Sequence, residues 1–479
     1  MLKSEGMKPF KLISIVLSTY FLLYGMSCTS LEEEPKSFTS PVNFYKTTAQ
    51  IESGFAAAMD QLWGYWSGYG YAVSTFAHDD QLEGGNLVIG ANHGRGLWNA
   101  HYRAILNLNN VIRALNEGNP EGASAEEVQL LEGQAKFLRG YNYFQLVRMF
   151  GGLPLITEEI EDPISVEITR ASVEETYGLI IMDFQEAINK LPESWPESQR
   201  GRPTRDAARA LLAKAYLTMA THPLNAPQYF ADAARLADEV IKGGRHDLVE
   251  DVNQVFSKGT KYGPEMIWSF NSNYEDISTD PQIWAPEIID GWGDYGVSPT
   301  WEQQYPDHPR KHAYLMVEHE GVHYTQWPGS QTAGVKKFLY DNPEDFESYR
   351  SVINFPIIRF ADVLLIYAEA QNQANGGPDQ SAVHAINRVI DRANGNVENP
   401  NHPRLTQALT IEEFDEAVIE ERNYELCFEY DRWFDLVRKR ILGEKNTEWI
   451  DNFSESDYLF PIPENDIRLN PLVVQNPGY

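Results

Sequence analysis

A recurring grammar of helix starts and stops constrains this chain more than any other feature. Ser124-Ala125-Glu126-Glu127 has the form of a capping box, in which a hydroxyl and a glutamate satisfy each other's backbone amides. It opens a segment in which Val128, Leu131, Ala135 and Leu138 recur at spacings of three and four, which predicts a helix. The segment continues through Phe137, Tyr141, Phe144 and Val147 and stops at Gly151-Gly152, just before Pro154. Thr204 is expected to cap an alanine-rich helix from Arg205 to about Ala220, ended by Pro223, with Phe230 to Ile241 as its antiparallel partner. Phe360 to Asn375 and Ser381 to Ala393 make a further pair around Gly376-Gly377-Pro378, the second burying Val383, Ile386, Ile390 and Ala393. Thr410-Ile411-Glu412-Glu413 is another capping box and predicts a long helix reaching about Arg440. Pairs of this size joined by short turns suggest tetratricopeptide-like packing, although the strict repeat of roughly 34 residues is not visible. Between about 245 and 350 the helical period fails, and Gly, Pro, Asp and Trp predict loops and short strands there.

Hydrophobic residues at 42% and charged residues at 23% exclude wholesale disorder. The formal charge of −30, from 69 acidic against 39 basic side chains, repels phosphate backbones and argues against nucleic acid as a partner. Two cysteines, Cys28 and Cys427, are too few for a disulfide framework or a four-cysteine zinc site. At the N-terminus Lys3, Lys8 and Lys11 precede an apolar run from Leu12 to about Met26, followed by Ser27-Cys28. The run is short of the ~20 residues a membrane span needs, and a cysteine at the cleavage point predicts a lipoprotein signal with the lipid on Cys28. Met7 would serve as a start too, since Lys8 and Lys11 supply a basic region. The expected organisation is a signal over residues 1–27, a lipidated tether over 28–45, a helical part over 46–245 and a second part over 246–479, the last two forming one intimate globular unit.

Two catalytic patterns occur by spelling alone. His319-Glu320-Gly321-Val322-His323 matches HExxH, but zinc chemistry needs both histidines on one helical face, and Gly321, Val322 and the following Trp327-Pro328-Gly329 point to strand and turn. Gly291-Trp292-Gly293-Asp294-Tyr295-Gly296 matches GxGxxG, yet a dinucleotide fingerprint must join a strand to a helix, whereas this one runs into Val297-Ser298-Pro299-Thr300, and Trp292 obstructs close backbone approach. No GxSxG elbow is present, and nothing in the sequence requires a metal or a cofactor.

Several segments together resemble the SusD/RagB family, surface lipoproteins that capture nutrients for TonB-dependent outer-membrane transporters. They are residues 98–109, beginning at Trp98; 135–155, ending Gly151-Gly152-Leu153-Pro154-Leu155; 359–370, beginning Arg359-Phe360-Ala361-Asp362; 420–438, containing Glu421-Arg422-Asn423-Tyr424-Glu425; and 460–479, beginning Phe460-Pro461-Ile462-Pro463. Glu32-Glu33-Glu34 beside Cys28 resembles a surface-export signal of outer-membrane lipoproteins. The resemblance implies a mainly α, SusD-like fold: about four tetratricopeptide-like helix pairs as scaffold, an irregular loop-rich region with short strands, ligand recognition on loops, and no catalysis. It also implies lipid anchoring on the outer-membrane surface and a SusC-like TonB-dependent transporter as partner. The family often has glycine where this chain has Tyr430. Within residues 420–438, Arg422, Arg432 and Arg438 alternate with Glu421, Glu425, Glu429, Asp431 and Asp435 and are expected to pair along a helix surface, with Cys427 a buried free thiol.

Aromatics supply the ligand expectation. Trp284, Trp292, Trp301 and Trp327, four of eleven tryptophans, lie in the irregular region with Tyr295, Tyr305 and Tyr324. A second cluster, Trp63, Tyr65, Trp66, Tyr69 and Tyr71, is interleaved with glycine and followed by Asp79-Asp80-Gln81. Aromatics on loops tend to be displayed, and a ring face covers the apolar side of a sugar while Asp or Gln at its edge meets the hydroxyls. The expected ligand contacts are Trp66, Tyr69, Tyr71, Asp79, Asp80, Trp284, Trp292, Tyr295 and Trp327. Packing beneath the loops or against the transporter is the bland reading of the same residues. Trp98, Tyr102 and Trp268 are expected in the core. The function expected is capture of a glycan for a SusC-like transporter; peptide capture, or an α-rich glycoside hydrolase using Asp79 or Asp80 with Asp294, are the alternatives.

Overall fold

The computed structural model describes residues 44–66, 80–82, 94–157, 168–273, 281–329, 331–339, 351–446 and 453–479, apart from the side chains of Tyr65 and Trp66. Residues Tyr45–Tyr479 make one compact unit.

Helices α1 (Thr48–Trp66), α2 (Arg95–Glu117), α3 (Ala125–Phe150), α4 (Val173–Lys190), α5 (Arg205–Ala220) and α6 (Tyr229–Lys242) each pack on the next. The capping box at Ser124 forms as expected, and Ser172 with Glu175 makes another at the start of α4. Thr204 caps α5, its hydroxyl accepting from the Ala207 amide at 3.2 Å. Helix α3 is buried on nearly every side, because α2 and α4 flank it and an irregular excursion docks on it from a third direction.

That excursion begins with β1 (Met266–Phe270) and continues through two short helices, α7 (Pro299–Gln304) and α8 (Pro309–Tyr314). The two-residue strands β2 (Leu315–Met316), β3 (Glu318–His319), β4 (Val322–His323) and β5 (Gly334–Val335) follow, and β6 (Phe355–Arg359) returns antiparallel to β1. Trp268 pairs with Ile358 and drives its indole edge-on into α3, 4.7 Å from Phe137 and 5.1 Å from Tyr141. It is a core residue, as is Trp98, against which the half-buried Tyr102 packs at 4.7 Å.

Strand β6 runs straight into α9 (Phe360–Asn375), which packs on α6 as though the excursion were not there. Helix α10 (Gln380–Ala393) completes the fourth pair, and α11 (Ile411–Glu425) lies against α9. The remaining helices are α12 (Arg432–Lys439), α13 (Leu442–Lys445) and α14 (Glu464–Leu469). The fold is therefore mainly helical, with a loop-rich region set into a stack of paired helices.

One expectation fails. The helix opened by the Thr410 capping box stops at Glu425, and residues 426–431 turn before α12, with Phe428 and Tyr430 at φ of 63° and 64°. The break turns inward the charges that spacing had placed on a surface. Arg359 meets Glu425 at 2.6 Å and Glu429 at 2.8 Å, Arg422 meets Asp362 at 2.6 Å and Asp435 at 2.8 Å, and Arg438 meets Glu369 at 2.5 Å. Buried charges persist only when paired, and these pairs tie the C-terminal helices to β6 and α9. The left-handed conformation at 430 is one glycine adopts freely. Here Tyr430 adopts it and stacks on Phe355 of β6, ring centroids 4.6 Å apart. Cys427 is fully buried, and burial pushes its thiol up to about 11.

Candidate functional site

The segment from Pro281 to Ser298 folds back on itself as a tight loop. Trp292 N–H donates to the Gln282 carbonyl at 2.9 Å, Gly293 N–H to Ala285 at 3.0 Å and Gly291 N–H to Pro286 at 3.2 Å. A Cβ at Gly291 would lie 2.0 Å from the Ala285 carbonyl oxygen, so only glycine permits this closure. The loop holds Trp292 outward with half of its surface exposed, 50%, among the exposed side chains Glu287, Asp290 and Asp294.

Trp284 and Trp327 do not share that role. Both are 3% exposed, and the expectation that they display a ring to ligand is corrected by what covers them. Trp284 packs on Tyr295 at 5.1 Å and on Phe338 at 5.9 Å, and Trp327 donates its indole N–H to the Val322 carbonyl at 2.9 Å. Tyr295 is half-buried on Trp284. Trp301, Tyr305 and Tyr324 are buried as well, each with its polar atom engaged: on Asn423 Oδ1, the Tyr424 carbonyl and Glu302 respectively. Chains of buried aromatics with satisfied polar tips build a floor. Of this aromatic group Trp292 alone is exposed by more than a third among the described residues.

The second cluster is described only at its edges. Cys28, Tyr69, Tyr71 and Asp79 lie outside the described residues, and Trp66 closes α1 without a described side chain. Trp63 packs edge-on against Phe270 at 5.6 Å. Residues 80–82, which end the cluster, join the Trp292 loop directly: Leu82 bridges Val297, and Ser298 N–H donates to the Gln81 carbonyl at 2.9 Å.

Asp80 is not a free edge group. Arg432 takes its carboxylate with two hydrogen bonds, Nε to Oδ1 at 2.7 Å and Nη2 to Oδ2 at 2.6 Å. The expected ligand contact at Asp80 is thereby corrected to an anchor, and a carboxylate so engaged is poorly placed for acid–base work. Gln81 is fully buried; its amide nitrogen donates to Asn423 Oδ1 at 2.9 Å, and its amide oxygen accepts from Phe428 N–H at 3.1 Å. Asn423 Oδ1 also receives the Trp301 indole. Asn423 and Arg432 thus fasten both loops to the C-terminal helices. Their signal in the sequence was a polar pair next to a helix break that the charge spacing concealed.

The two catalytic spellings fold as loops. His319 and Val322 pair across a two-residue turn in which Glu320 and Gly321 have φ of 50° and 80°, so HExxH here is a hairpin tip. Residues 291–296 lead to Val297, which bridges Leu82, with no strand-to-helix junction.

Stacked helix pairs carrying an anchored, aromatic-bearing loop outside the repeats define a helical scaffold protein. The SusD family model matches residues 300–479, and a model described as starch-binding, associating with the outer membrane, matches residues 72–217. The chain belongs to the SusD family. It is similar to SusD-like protein P2 of Formosa agariphila, 28% identical over 99% of this chain and 100% of that one. Among solved structures it is similar to a SusD superfamily protein from Parabacteroides distasonis, with TM-score 0.78, 25% identity, and coverage of 90% of this chain and 99% of that one. A laminarin binding SusD-like protein shares the fold at TM-score 0.75 and 23% identity, over 91% of this chain and 100% of that one.

Proposed function

We propose that this protein is a non-catalytic glycan-binding lipoprotein, tethered through Cys28 to the outer-membrane surface, which hands oligosaccharide to a SusC-like TonB-dependent transporter. The observation that carries the reading is Trp292, a half-exposed indole on a loop that glycine closure and backbone hydrogen bonds hold still. An indole face covers the C–H side of a pyranose, and Glu287, Asp290 and Asp294 offer acceptors to its hydroxyls. Tyr295 beside it, and Trp66, Tyr69, Tyr71 and Asp79 on the adjoining segment, are proposed to extend the platform. The laminarin-binding neighbour lends the sugar reading its support. Affinity at one site need only be modest, since tethering beside a transporter mouth raises effective concentration.

Isothermal titration against a panel of neutral oligosaccharides tests it. Saturable binding that Trp292→Ala abolishes is expected. Saturable binding to peptides with none to any glycan would replace this reading with peptide capture, and release of reducing sugar from a polysaccharide panel would replace it with hydrolysis.

A further inference from the structure

Between α4 and α5 the chain makes a wall, residues 193–204, that faces the 261–264 turn across β1 and leaves an open cleft of about 300–400 Å³, 360 Å³ by volume. That is the lower end of the range for small-molecule sites. In a chain of net charge −30 its lining is reversed in sign: Arg200, Arg202, Arg245 and Lys261 face it with His246, and among the described lining residues Glu193 is the one carboxylate.

Arg245 and Arg202 are held in place from behind, whereas Arg200 is exposed and pairs with Glu197 at 2.5 Å on the surface. Fully buried Asp206 accepts two hydrogen bonds from Arg245, at 2.7 and 3.0 Å, and one from Arg209 at 2.9 Å, with His246 at 3.5 Å. One negative charge therefore positions two guanidiniums. Arg202 is fixed to Glu52 of α1 at 2.7 Å and Gln134 of α3 at 3.1 Å. The Lys261 ammonium donates to the carbonyls of Ser272 and Val352, at 2.7 and 3.2 Å, and meets no carboxylate among the described residues. Among the described residues its charge is met by carbonyl dipoles alone.

Two aromatic rings flank these charges. Trp195 is pinned by its indole N–H on the Pro203 carbonyl at 2.8 Å, and Tyr262 is 38% exposed. Gly201 presses the wall inward: its φ is 89°, and a Cβ there would sit 2.1 Å from the Asn271 side-chain nitrogen. A preset cluster of cations beside ring faces matches a ligand that is both anionic and ring-shaped.

We infer that this cleft is a second binding site, separate from the Trp292 loop, for an anionic sugar unit: a pyranose bearing a carboxylate or a sulfate ester. Arg200 and Lys261 take the charge, and Tyr262 and Trp195 pack on the ring. The sugar half of the assignment rests on the glycan reading above, whereas the anionic half rests on the cleft alone.

The test is titration of the full chain with an oligogalacturonate, a sulfated galactan oligomer and a neutral galactan oligomer. One charged oligomer, carboxylated or sulfated, is expected to bind. Its affinity should fall about tenfold in Lys261→Met with Arg200→Gln, and fall again as salt rises. Arg200 is exposed, so Arg200→Gln alone must still weaken binding if Lys261→Met disturbs the fold. Absence of binding by both charged oligomers overturns the inference, and so does equal binding of the neutral one. Loss in Trp292→Ala with none in the cleft variants also overturns it, by assigning the ligand to the loop. If neutral glycans fail at Trp292 while a charged one is held by the cleft, the glycan-platform reading falls and this one stands.

Discussion

The guanidinium of Arg432 and the carboxylate of Asp80 meet in a parallel, two-bond clasp across most of the length of the chain. Arg432 opens α12, and Asp80 ends the segment that bridges to the Trp292 loop. The side chain of Arg432 is 2% exposed and that of Asp80 13%.

Removing Asp80 would strand a buried cation. Asp80→Ala is expected to destabilise the protein by about 3 kcal/mol, and Arg432→Ala by a similar amount. The double variant should lose much less than the sum of the two, because the partners share one interaction. Urea unfolding of the three variants measures this, and additive losses would mean the clasp contributes nothing of its own.

Trp292 and its buried neighbours should respond oppositely. Trp292→Ala is expected to abolish binding of neutral oligosaccharide with little change in melting temperature, whereas Trp284→Ala and Trp327→Ala should each cost about 3–5 kcal/mol of stability. Calorimetry on the three proteins separates a displayed ring from a structural one.

At Tyr430 two effects compete. Glycine would relieve a left-handed conformation worth roughly 1–2 kcal/mol, but it would delete a 3%-exposed ring stacked on Phe355, a loss of about 3–5 kcal/mol. Tyr430→Gly is therefore expected to be destabilising, by about 2 kcal/mol. A gain in denaturation midpoint would show that backbone strain outweighs packing here.

Stability should fall in acid. Burial opposes ionisation of Glu369 and Glu421, yet Arg438 and Lys439 beside the first, and Arg310 and His402 beside the second, hold both carboxyls at about 2 rather than the usual 4.5. The unfolded chain takes up protons near 4.5 that the folded one refuses until about 2, so their contribution is complete above 4.5 and is lost as pH falls toward 2. His308 acts in the same direction, since burial and then Arg310 and His402 lower it from 6.5 to about 3. The urea midpoint should decline from about pH 6 downward, and Glu369→Gln should flatten part of that slope.

Lipidation gives a prediction outside the described residues. Cys28→Ala in the expressing cell should eliminate labelling by radioactive palmitate and release the protein from membranes into soluble fractions. Continued membrane retention without label would point to an uncleaved anchor.

The helices were readable because their ends are written locally: Ser124, Thr204 and Thr410 cap the helices that their sequences announce. The break after Glu425 was not, since charges three and four apart suit an exposed helix as well as two buried ones, and burial is decided by partners such as Arg359 and Asp362 that lie far off in the chain. The aromatic platform was half legible. Glycine and proline around Trp284, Trp292 and Trp327 mark irregular backbone, but which ring faces water depends on how the loop closes over Phe338 and Val322. Asp80 was misread for the same reason, its partner being Arg432.

Because α9 settles on α6 as if the strands and loops between them were absent, the loop-rich region that carries Trp292 is an insert seated in a continuous frame. On the proposed function, such a layout lets cargo preference drift by remodelling one excursion while the repeat stack is left intact.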